Sequence, residues 1–475
     1  MESSDTDPEL TRVPLAVWGQ AIIIVVGSFA SMLSSTIVGP ALPALGQRFG
    51  VDDSAVQWVT TVYLLALAAG VPVSGWLGRK LGTTRLWLLG LALFACFSVV
   101  CAVADSLPVL LIGRALQGLA GGLLVPTGQT ILALITGRKF LGRVGGTVGI
   151  AVVVAPVLGT TLGSVMLEHL DVAWLFWLNV PLSVIAFIAG LRWLPRVATS
   201  PAGPLDVLGL VLAMSGMPVL LYGLSSFTSA GETTALLCIA GGAVLLLAFV
   251  IWQLRSRTPL MRIRLFGNAV FASGAAVMFF GGAVNFGAQV VLPLYFTQAR
   301  GESMLTAGVL LAPQIIGTAI GFPLAGRLSD RYGAGTLVAI GALVTAIATV
   351  PLALSGTHTD YAVLSAVMLV RGFGVALSTM PAMTAGLSAV DRTEVPDAAP
   401  ILNMLQRFGA SAGTAVIAAL YAGHLQEPMT PQHAANAFGF VSWWLFAATV
   451  ALGSLALLLA RAERAARDRN NVLVS

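Results

Sequence analysis

The chain has 475 residues, 57% of them hydrophobic and 9% charged, with a net charge of +5 and a mean hydropathy of +0.91. A soluble protein with this balance would lack the polar surface to face water, so the composition points to a bilayer. The 25 Lys and Arg are scattered singly between apolar runs, which excludes the clustered basic face that nucleic-acid binding requires.

A helix needs about 20 apolar residues to cross roughly 30 Å of hydrocarbon. Fourteen runs satisfy this, at 15–38, 54–77, 86–104, 108–135, 144–166, 173–193, 207–226, 234–253, 267–296, 303–325, 336–354, 361–386, 398–422 and 437–460. The first is too long and too late to be a cleaved signal peptide, and no A-x-A-like site follows it. With the N-terminus inside, cytoplasmic segments hold 20 of the 25 basic residues, so the charge bias places both termini in the cytoplasm. The expected layout is a tail (1–14), a six-helix bundle (15–193), a linker with two inserted spans (194–266), a second six-helix bundle (267–460) and a tail (461–475). Cys96, Cys101 and Cys238 lie in spans without C-x-x-C spacing, and the four histidines fall in loops, so neither a disulfide framework nor a metal or cofactor site is expected.

Two segments repeat one cadence. GWLGRKLG (Gly75 to Gly82) closes the second run and GRLSDRYG (Gly326 to Gly333) the tenth; each is followed by an arginine inside a later run, Arg114 in RALQGLAGG and Arg371 in RGFGVAL. Parallel repeats of this kind build transporters that rock around a midplane cavity. Glycines at Gly75, Gly82, Gly326 and Gly333 permit tight reversal, and the charges Arg79, Lys80, Asp330 and Arg331 suit a gate at helix ends. Arg114 lies about 9 Å below the outer surface at 1.5 Å per residue; an arginine there needs partners, and Gln117 shares its face. In the fifth run, Pro156, Gly159 and Gly163 continue a small-residue stripe that permits close helix contact.

These motifs, with VAPVLGTTLG, LFWLNVP, PLMRIRLF, LPLYFTQ and NMLQRFGASAG in order over the full length, resemble the major facilitator superfamily, specifically its fourteen-span drug-exporter branch of the EmrB and QacA type. The resemblance implies an all-α membrane fold of two six-helix repeats plus two inserted helices. It implies export of amphipathic, drug-like small molecules in exchange for protons, and, in a cell with two membranes, a periplasmic adaptor partner. It also implies that Asp330 latches the inward gate and that the VAPVLGTTLG stripe controls opening between the halves. Arg79 stands where the superfamily pattern has an acid, and Ser34 stands where the branch commonly carries one near the end of the first span. Allocating the acidic residues to loops leaves none inside a span, so Arg114, Arg371 and Arg407 are expected to pair with hydroxyls, amides or carbonyls. Any proton coupling then runs indirectly, through boundary acids such as Asp206, Asp330 or Asp397 or through the substrate's own ionisation. Polar groups at depth that could line a substrate cavity are Trp58, Tyr63, Gln129, Asn285, Gln289, Gln298, Gln314 and Asn403, with Phe279, Phe280, Phe286 and Met380 as adaptable walls. No P-loop or activated nucleophile is present in the sequence, so an enzyme is not expected. The alternatives are a carrier of a specific anionic or neutral metabolite or lipid without direct proton coupling, and a non-transporting membrane sensor.

Overall fold

The computed structural model describes residues 13–197, 199, 203–225, 232–425 and 428–474, and among these every regular element is helical. The first group of helices is α1 (Leu15–Thr36), α2 (Leu42–Phe49), α3 (Asp53–Gly70), α4 (Val73–Leu81), α5 (Thr83–Ala102), α6 (Leu107–His169), α7 (Ala173–Trp177) and α8 (Asn179–Trp193). A hairpin follows, α9 (Val207–Ser225) and α10 (Glu232–Arg255). The last group is α11 (Ala269–Leu294), α12 (Met304–Tyr332), α13 (Ala334–Ala353), α14 (Tyr361–Ser388), α15 (Val395–His424) and α16 (Pro431–Val474).

Helix ends follow from local chemistry. Asp52, Asn268, Ser303 and Asp360 cap α3, α11, α12 and α14 by accepting first-turn amide hydrogens. The Ala55 amide and then the Ser54 hydroxyl hold the Asp52 carboxyl below its ordinary range, which keeps this cap charged. Gly82 and Gly333, the closing glycines of the repeated cadence, share one backbone state, φ 87° with extended ψ, a region that side-chain-bearing residues avoid. Gly137 at φ 61° breaks the 63-residue α6 into two arms. The first descends from Arg114, near the end of α1, to Leu134; the second returns, its Gly159 and Gly163 lying against Thr36 and Ile37 of α1.

Eleven of the described helices are long and apolar enough to cross a membrane, or twelve if the α3–α4 pair, bent by 54°, is one span. This is fewer than the fourteen runs expected. The 398–422 run lies in α15, made more polar by Asn403, Gln406 and Arg407, and the 144–166 run is the second arm of α6, several of whose side chains lie outside the described residues. Outward faces are strongly apolar: Leu237, Val244 and Leu247 of α10 are 60–68% exposed, which matches lipid rather than water as solvent. The α9 helix packs on both α3 and α15, and so touches both groups.

Candidate functional site

Arg114 is fully buried eight residues after the Ser106 cap of α6. Its Nη1 donates to Ser34 Oγ at 2.9 Å and to Gln117 Oε1 at 2.7 Å, its Nε to the Val59 carbonyl at 3.1 Å, and its Nη2 to the Ser34 carbonyl at 3.2 Å. Ser34 lies in the last turn of α1, where carbonyls lack helical partners and carry the negative end of the helix dipole. The guanidinium also stacks over Tyr63, 3.9 Å from the ring centre, and Gln117 passes the network to Ser98 Oγ at 2.6 Å. A buried cation is thus satisfied by neutral oxygens, a dipole and a ring face, with no carboxylate in contact.

Tyr63 donates to the Ser31 carbonyl at 2.7 Å, and Arg407 lies on α15. One turn earlier on the same face of α15, Asn403 Nδ2 donates to Gln129 Oε1 of α6 at 2.5 Å. Gln129, Asn403 and Arg407 therefore lie where the two helix groups face each other. Arg371, 1% exposed, donates from Nη1 to Gln314 Oε1 at 3.0 Å, and its Nη2 has no hydrogen-bond partner among the described residues.

Other expected cavity residues lie elsewhere. Trp58 stacks on Tyr222 of α9 with ring centres 5.7 Å apart, at the contact between α3 and the hairpin. Gln298 accepts from the Tyr421 hydroxyl at 2.9 Å within the last group. Asn285 is half-buried and Gln289 exposed on α11.

The end of the bundle that gathers the basic segments, here the basic end, holds the contacts between groups. Arg79 of α4 forms an ion pair with Asp397 in the first turn of α15, and both side chains are buried. Arg262, between α10 and α11, approaches the other carboxylate oxygen with Nε at 3.4 Å and Glu394 at 3.8 Å. The sequence reading began this span at residue 398; the helix begins at Val395, which draws Asp397 into it. Gly75 makes the approach possible, because a Cβ there would sit 3.0 Å from the Pro396 carbonyl. Arg392 donates to the Leu134 carbonyl at 2.9 Å, and a Cβ on Gly326 or Gly146 would strike the backbone of Gly142 or Phe322 across the α6–α12 crossing. Lys80 lies over Trp76, 4.6 Å from the ring centre, and Arg331 beside Tyr332. The side chains of Asp330 and Pro156 lie outside the described residues. Sequence reasoning missed the Arg79–Asp397–Arg262 cluster; the available signal was an acid directly following a proline at a span boundary.

Membrane-length helices in two groups, joined at one end by small residues and a charge pair, with polar side chains converging between them, define a solute transporter. The chain belongs to the Major Facilitator Superfamily, whose family model matches residues 24–414. It is 31% identical over 420 residues to lincomycin resistance protein LmrB of Bacillus subtilis (strain 168), covering 86% of each chain. It is 30% identical over 416 residues to a multidrug resistance protein B homolog of Mycobacterium tuberculosis (strain ATCC 25618 / H37Rv), covering 86% of this chain and 77% of that one. The multidrug export protein EmrB of Haemophilus influenzae is 29% identical over 415 residues, covering 84% and 80%. The crystal structure of the human organic anion transporter MFSD10 shares the fold, with a TM-score of 0.64 at 16% identity over 92% of this chain and 100% of that one.

Proposed function

We propose that this transporter exports amphipathic, drug-like small molecules across the cytoplasmic membrane by alternating access. The basic end faces the cytoplasm together with both termini, and fourteen spans form two six-helix halves plus the inserted α9–α10 hairpin. The observation that carries this reading is the buried Arg79–Asp397 pair, which joins the two groups at one end beside the close approach of Gly75 to Pro396. Such a contact can be made and broken as a unit, as a gate requires. The drug-resistance names of LmrB and EmrB support the substrate class.

A second reading concerns charge. Arg114, Arg371 and Arg407 sit along the interior, and Ser34 occupies the place where the family resemblance led one to expect an acid. Anionic or neutral compounds are then handled at least as well as cations, and proton coupling is indirect. The test is accumulation of cationic, neutral and anionic dyes and antibiotics in cells with and without the gene. Lower accumulation with the gene supports export, and unchanged accumulation across the whole panel contradicts it.

A further inference from the structure

Asp397 is a completely buried carboxylate touched by two arginines that belong to different parts of the molecule. Arg79 comes from α4 in the first group. Arg262 is anchored to the last group through the segment that follows it, where Asn268, the cap of α11, donates to the Ala389 carbonyl at 2.8 Å. The Arg262–Glu394 contact likewise stays within the last group. When the two groups separate at this end, Arg79 must leave Asp397 and Arg262 need not.

The α9–α10 hairpin fixes where Arg262 points. Asp206, 7% exposed, accepts from the Gly209 amide at 2.9 Å, from Trp252 Nε1 at 2.8 Å and from Gln253 Nε2 at 2.8 Å. Gln253, 4% exposed, in turn accepts from the Met261 amide at 3.3 Å, one residue before Arg262. A buried acid at the start of the hairpin is thereby connected to the backbone that presents Arg262.

A buried carboxylate stripped of its only cation is severely destabilised, whereas one that keeps a second cation is not. Two guanidinium groups on one carboxylate also repel each other, which weakens the hold of Arg79. Building on the gate reading above, we infer that Arg262 is the standing counter-ion of Asp397, positioned by the inserted hairpin, and that it lets Arg79 depart so that the cytoplasmic end can open. Arg79 closes this end; Arg262 makes the closure reversible. The hairpin's task is to hold Arg262 in place.

The two arginines therefore have opposite signatures. Spin labels at Arg85→Cys and Tyr332→Cys, with Cys96 and Cys238 replaced by Ala, report the separation of the groups at this end by pulsed dipolar spectroscopy on the purified full chain. Arg79→Gln should raise the long-distance population. Arg262→Gln should raise the short-distance population and lower transport turnover about fivefold or more, the low end of typical coupled equilibria, with KM unchanged. Arg262→Lys should restore both readouts to parental values, which a purely structural loss would not allow. Gln253→Ala, which leaves every charge in place, should move the distances in the same direction as Arg262→Gln. Opening by Arg262→Gln, or no effect of it on distances and turnover, would overturn the inference while leaving the gate intact. Absence of any effect from Arg79→Gln would instead remove the gate reading on which it rests.

Discussion

Arg114 shows why a charge can be stable deep in this molecule without an opposite charge. Its donors reach two hydroxyl or amide oxygens and two carbonyls while Tyr63 covers its face. Arg114→Ala should abolish transport, because Ser34, Gln117 and the Val59 carbonyl all lose their shared partner. Arg114→Lys should recover little, with transport at least about tenfold below the parent, since a point charge cannot bridge groups arranged around a planar fork. Full activity in the Lys variant would reduce the site to simple positive charge. Ser34→Asp sets a carboxylate against this guanidinium and supplies a titratable group where the parent has a hydroxyl. The pH profile of drug transport by that variant should differ from the parent's, measured as initial rates across pH 5 to 8; identical profiles would show that protons do not reach this position.

At the scale of helices, the crossings depend on missing side chains. Gly75 admits the start of α15 and Gly326 admits the second arm of α6, so neither position tolerates bulk when the cytoplasmic end is closed. Gly326→Val should raise labelling of a cysteine introduced at the basic end, such as Arg85→Cys, and lower transport, with the folded protein still extractable as a monodisperse species. Unchanged labelling would show that the crossing is not part of the gate. Eleven of the described helices were legible from the sequence because each is a run of apolar residues long enough for a bilayer, and the repeated cadence marked Gly82 and Gly333 as points of tight reversal without saying that they would share a backbone state. The pairing of Arg79 with Asp397 was not legible. The two lie far apart along the chain, and nothing in local pattern says which helix ends meet. Trp58 illustrates the same limit, since a polar aromatic at depth reads alike whether it faces a cavity or, as here, stacks on Tyr222.

For the whole molecule, the contacts described between the two groups lie toward the basic end, from Arg79–Asp397 to Asn403–Gln129, while Arg48–Asp171 and Arg300–Thr359 at the other end each stay within one group. With the basic end inward, as proposed, this is the arrangement of a transporter closed to the inside, and the proposed cycle requires the Arg79–Asp397 pair to break and re-form. Purified protein in liposomes, with an imposed pH gradient and a fluorescent amphipathic dye, tests that requirement directly. The parent should accumulate dye, whereas Arg79→Gln and Asp397→Asn should each lose most of the uptake while still binding the dye. Parental uptake by both variants, or no uptake by the parent with cationic, neutral and anionic dyes alike, would contradict the account.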